Sequence, residues 1–124
     1  MRDVILVGFG GFLGSIARYA LGGVVTQLTA ANRFPFGTLV VNLLGCFAMG
    51  LVAGYAERSH LLGSSARLFL MTGLLGGFTT YSAFAYESYF LGREQALGLI
   101  LVNIAVHVVA GLAVLWLGHQ LVSA

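Results

Sequence analysis

Ten charged side chains divide this chain, and the stretches between them are too long and too apolar to belong anywhere but in a membrane. Uncharged runs fill 4–17, 34–56, 68–86 and 95–124. A bilayer core is crossed by about 20 mostly apolar residues. The last three runs meet that length unaided. The first meets it if Arg18 lies inside its helix. Four transmembrane helices are therefore expected, at about 4–26, 37–56, 68–90 and 96–118. Composition closes the other classes. Only 8% of residues are charged and 59% are hydrophobic, against roughly 25% charged in a soluble domain. A chain of 124 residues cannot bury so much apolar surface within itself, and disorder needs the opposite composition. The prediction is an all-α integral membrane protein, one four-helix domain over 1–124, multi-pass in the cell membrane and surrounded by lipid.

Short polar connections leave no room for an extramembrane catalytic domain, and no enzyme activity is expected. They are Asn32-Arg33-Phe34-Pro35, then Glu57-Arg58-Ser59-His60 with Gly63-Ser64-Ser65, then Gly92-Arg93-Glu94. The first apolar stretch ends at Arg18 without a small-residue cleavage pattern and is read as a helix rather than a signal peptide. The single cysteine, Cys46, excludes an internal disulfide and a multi-cysteine metal cluster. Six arginines, dispersed and without lysine, make no nucleic-acid footprint.

Orientation is weakly specified. With four spans, Arg2, Arg58 and Arg67 share one side, while Arg33 and Arg93 share the other. The positive-inside rule counts Lys and Arg near helix ends, and three against two is hardly a bias. Either another signal fixes orientation, or copies insert both ways and assemble antiparallel. The helices are built to associate: Gly10, Gly14 and Gly22 share a face with Arg18, and Gly50 with Gly54 and Gly73 with Gly77 repeat the four-residue step. Such stripes let backbones approach closely in lipid.

Polar groups inside a membrane are functional candidates by default. Arg18 either snorkels to the headgroups or supplies positive potential at a vestibule. Asn42, six residues into the second helix, is either a helix–helix hydrogen bond or a donor to a permeant ion. Glu87 can pair with Arg18 or with a loop arginine. The strongest signal is Gly76-Gly77-Phe78-Thr79-Thr80-Tyr81-Ser82-Ala83-Phe84. Two glycines followed by two β-branched threonines at mid-membrane depth disfavour a continuous helix. Irregular backbone there must face protein or a cavity, and its freed carbonyls can ligate a small cation. Tyr81 and Phe84 follow on one face beside Ser82. Aromatic edges are electropositive and can line an anion path. In the fourth helix Asn103, His107 and Gly111 form a narrow stripe. His107 is either a satisfied interhelical hydrogen bond or an ion contact.

Taken together, Arg18, Gly37-Thr38-Leu39-Val40-Val41-Asn42-Leu43 and the 76–87 segment ending Ala85-Tyr86-Glu87 resemble the Fluc (CrcB-type) fluoride channels over essentially the whole chain. That resemblance implies a passive channel for fluoride efflux, lowering toxic cytoplasmic fluoride. It implies an antiparallel homodimer with two pores and a structural Na⁺ at its centre, held by backbone carbonyls of Gly76 and Thr79. It also assigns Tyr81 and Phe84 to the pore's aromatic pair, Asn42 to its asparagine, Arg18 to the vestibule and Glu87 to the motif glutamate. Two positions depart from the pattern: Tyr81 stands where Phe is usual, and His107 where a hydroxyl residue is usual.

A carboxylate-sized ion costs on the order of 20 kcal/mol to move into a low-dielectric medium, and fluoride is smaller. The Asn42 amide, the hydroxyls of Thr80, Tyr81 and Ser82, and the ring edges must therefore stand in for water. Two rival readings are a small dual-topology proton-coupled exporter of cationic drugs and a non-transporting subunit of a membrane complex. The exporter needs a membrane-embedded acid, usually in the first helix, where this chain has only Arg18. The subunit leaves the threonine break and Asn42 idle.

Overall fold

The computed structural model describes residues 1–59 and 62–123. His60 of the expected second connection lies outside them. Helix α1 runs Arg2–Leu28 and α2 Phe36–Ser59. The third span, Ser64–Arg93, is composite: α3 (Ser64–Arg67), a π-helical segment (Leu68–Leu75), α4 (Gly76–Phe78) and α5 (Tyr81–Arg93). Helix α6, Leu97–Ser123, completes the chain. No strand occurs among the described residues. Four spans of 27, 23, 30 and 27 residues are long and apolar enough to cross a bilayer. The first three pass their expected bounds at both ends, and the fourth starts one residue late at Leu97 but runs on to Ser123, because residues flanking the apolar runs remain helical. The protein is a multi-pass membrane protein.

Up-and-down topology is visible in the side-chain contacts at the two ends. Arg33 Nη2 reaches Glu94 Oε2 at 2.6 Å, tying the first connection to the third. At the opposite end His119 Nε2 lies 2.9 Å from Glu57 Oε2, and Arg58 Nη1 donates to the Val122 carbonyl at 3.4 Å. Both sites are exposed, where such pairs are worth under about 1 kcal/mol. They mark the arrangement more than they hold it.

Glycine stripes set the packing. Helix α1 lies against the π-helical segment and α4, and α2 lies against α6. A methyl group on Gly10 would come within 2.6 Å of the Phe69 carbonyl, and one on Gly77 within 2.6 Å of the Gly11 carbonyl. On Gly14 it would overlap the Leu74 carbonyl, and on Gly50 the Leu115 carbonyl. Backbone therefore touches backbone at both interfaces, as close-packed helices in lipid require. The π-helical turns lie where α1 presses on the third span. The interior is correspondingly thin. Among the described residues the buried apolar side chains are Leu39, Val41, Ala56, Leu75 and Leu91, while large ones such as Phe12, Val109 and Leu121 point outward. That is the arrangement of a chain whose solvent is lipid.

The Gly14 contact yields a check. Gly14→Ala should lower stability by about 1–3 kcal/mol, the usual cost of overpacking, read as the midpoint of unfolding in detergent. Gly8→Ala, where the added methyl meets nothing within 4 Å, should not lower that midpoint and can raise it by the helix-propensity gain of up to about 1 kcal/mol.

Candidate functional site: the break in the third span

The break falls at the threonines and not at the glycines. Gly76 keeps helical angles (φ −63°, ψ −37°), whereas Thr79 (φ −82°, ψ 161°) and Thr80 (φ −150°, ψ 115°) are extended. Glycine tolerates a helix at a modest cost, and at Gly77 the close approach of the Gly11 backbone needs the missing side chain. The β-branched residues are the ones that leave the helix. Thr79 closes the upstream piece: its N–H and its Oγ1 both donate to the Leu75 carbonyl, at 3.0 and 3.1 Å. Thr80 opens the downstream piece as an N-cap, its Oγ1 accepting from the Ala83 N–H at 3.1 Å. A side-chain oxygen in that role satisfies a first-turn amide.

Asn42 clasps the exposed peptide. Its Nδ2 donates to the Thr80 carbonyl at 3.0 Å, and its Oδ1 accepts from the Thr80 N–H at 2.8 Å. The two partners, one acceptor and one donor, fix which way the amide points. One of its two Nδ2 hydrogens remains for another acceptor. The helix–helix reading of Asn42 and the ion-donor reading are thus compatible on one side chain.

These bonds redirect two amides. In a continuous helix the Thr80 N–H would serve the Gly76 carbonyl and the Ala83 N–H would serve the Thr79 carbonyl. Both are engaged elsewhere, with Asn42 Oδ1 and Thr80 Oγ1. The carbonyls of Gly76 and Thr79 are left without their helical donors, and hard oxygen ligands of this kind suit a small hard cation.

Thr80 separates two grooves. One, of about 420 Å³, is lined by Asn42, Thr80, Tyr81, Phe84 and His107, with Cys46 and Met49 from α2. The rings of Tyr81 and Phe84 lie 5.7 Å apart at 53°, and those of Phe84 and His107 4.5 Å apart at 40°. Tyr81 is 81% exposed and stands at the mouth. Ser82 Oγ lies 3.3 Å from Thr80 Oγ1, so these hydroxyls are neighbours at the break. The other groove, of about 510 Å³, contains Arg18, Ser15, Thr26, Thr38 and again Thr80. No ion-pair partner meets Arg18 among the described residues.

Two placements differ from the sequence expectations, and one partner was not foreseen. Glu87 pairs with neither Arg18 nor a loop arginine. Thr38 Oγ1 donates to its Oε1 at 2.5 Å, and Arg33 is taken by Glu94. The crossing of α2 and α5 brings this hydroxyl to the acid and leaves Arg18 in a groove that Glu87 does not line. His107 bonds within its own helix, Nδ1 to the Asn103 carbonyl at 2.9 Å, instead of across helices. Ser88, unremarked in the sequence, takes a 2.9 Å bond from Nδ2 of the fully buried Asn103. Its spacing of one helical turn after Phe84 was the available signal. Thr38, equally a partner, is placed by a helix crossing that local sequence does not encode.

A multi-pass membrane protein with a clasped break in one span and a polar groove on either side belongs among proteins that pass solutes across membranes. The family described as "CrcB-like protein, Camphor Resistance (CrcB)" matches residues 5–119, and the chain belongs to that family. It is 43% identical over 123 residues, 99% of this chain and 96% of the relative, to the fluoride-specific ion channel FluC of Methylobacillus flagellatus. It is 42% identical over 118 residues, 95% and 94% of the two chains, to that of Nitratidesulfovibrio vulgaris. It is 39% identical over 124 residues, 100% and 99%, to that of a Geobacter species.

The clasp carries its own test. Asn42→Ala removes both partners of the Thr80 peptide, and a buried polar group left unpaired costs about 1–3 kcal/mol. The Thr80 amide should then exchange its hydrogen at least about tenfold faster, while amides in the middle of α6 keep their rates.

Proposed function

We propose that this protein is a fluoride-selective channel giving passive efflux of the ion across the cell membrane. The observation that carries the proposal is the Asn42–Thr80 clasp. It holds a donor-rich break between the arginine groove and the aromatic groove. The relatives' names supply the ion: each is a fluoride-specific ion channel.

Dehydrating a small anion is the central cost, and preorganised donors offset it. Arg18 raises the local anion concentration at one groove. Between the grooves the spare Asn42 amide hydrogen and the hydroxyls of Thr80 and Ser82 replace water. Beyond them the ring edges of Tyr81 and Phe84 continue the path with weak, electropositive contacts. The Tyr81 hydroxyl adds a donor at the mouth. Weak successive sites let the ion leave as readily as it enters. Glu87, engaged by Thr38, is set back from this route.

The channel is an antiparallel homodimer with two pores. Support comes from the near-even division of arginines between the two faces and from a lining that one chain supplies on one side only. The freed carbonyls of Gly76 and Thr79 fit a structural Na⁺ at the dimer centre. Bound there, the ion supplies positive charge and fastens the two broken spans together.

Two experiments test this. Liposomes containing the protein should release fluoride without any proton gradient, and Asn42→Ala or Phe84→Ile should cut that release at least about tenfold. No release above protein-free vesicles overturns the channel, and proton-coupled cation uptake would establish the exporter instead. Exchanging Na⁺ for a large organic cation should shift the protein from dimer towards monomer on size exclusion, and a dimer indifferent to the exchange removes the ion from the centre.

A further inference from the structure

His107 is a group the fluoride path does not yet explain. Its Nδ1 lies 2.9 Å from the Asn103 carbonyl. A carbonyl only accepts, so Nδ1 carries the hydrogen. Neutral imidazole then has a bare lone pair at Nε2, and that atom is buried with no partner among the described residues. A lone pair beside an anion path repels the anion. Protonated, the same nitrogen becomes an N–H donor on a cation, and it then lacks only an acceptor. The ring lines the groove with Asn42, Tyr81 and Phe84, and a permeant anion that parts the side chains covering Nε2 there supplies such an acceptor.

Among the described residues the surroundings offer no competing charge. Helix α6 packs on α2 and α5. From α2 the titratable group lining the groove is Cys46, and from α5 it is Tyr81. No Asp, Glu, Lys or Arg is among the lining residues. Glu87 of α5 is engaged by Thr38, and Glu57 of α2 by His119 at the helix ends. The Phe84 ring, 4.5 Å away between centroids, can accept an imidazolium against its face.

We infer that His107 is a proton-dependent fluoride-binding group in the pore, contacting the anion through Nε2 only as imidazolium. This rests on the fluoride-channel reading and adds to it a dependence on pH. The proton comes from water, stays on Nε2 while fluoride passes and is not carried with it. Flux therefore follows the pH on both sides together and needs no gradient.

The test is fluoride efflux from liposomes at equal internal and external pH, between about pH 5.5 and about pH 8.5, with the leak of protein-free vesicles subtracted at each pH. Wild-type efflux should rise as pH falls, by up to about tenfold per pH unit on the alkaline side, the limit for one proton. His107→Gln, which offers an N–H at every pH, and His107→Ser should flatten the profile. A flat wild-type profile, or a wild-type rise retained in either variant, overturns the role of His107 and leaves the channel standing. Absence of wild-type efflux at every pH overturns both.

Discussion

Inside a bilayer a peptide group that leaves its helix must find partners in the protein, because lipid offers none. Everything distinctive in this structure depends on how that demand is met at Thr80. Asn42 supplies both partners from another span. Its amide imitates the peptide it replaces, and so both polar groups of the Thr80 peptide are satisfied by protein atoms. The third span can change direction because the second span reaches across to it.

One bond arrangement has several consequences. Capturing the Thr80 N–H deprives the Gly76 carbonyl, and the N-cap of α5 deprives the Thr79 carbonyl. At this turn Tyr81 and Phe84 line one groove, while Thr38 of α2 lines the other. Close glycine contacts along α1, the π-helical segment and α4 hold the upstream half tightly against its neighbour. The fixed backbone then positions side chains that would otherwise need long, flexible reach.

Much of this was legible beforehand. Charge placement gave the four spans, because ten charges leave few arrangements of apolar runs. The small-residue stripes announced interfaces, since nothing larger than hydrogen fits at Gly14 or Gly50. The threonine pair marked the interruption to within a few residues. Contacts between distant segments were less accessible. Thr38 and Glu87 are 49 positions apart, and only the crossing of α2 with α5 joins them. The π-helical turns answer to pressure from α1, which no local propensity reports. The His107 bond spans only four residues, yet every helical residue has a carbonyl four positions back, so spacing alone does not single it out.

Wider hydrogen-bonded rings give the stretch Leu68–Leu75 a kind of slack. Shortening it by a residue can be absorbed by winding back to the tighter α form. The same deletion within α2 or α6 would swing every later side chain by about 100° around its axis. Length differences among relatives should therefore gather upstream of the threonines. The downstream aromatics can keep their register while the cytoplasmic or external stub of that span grows or shrinks.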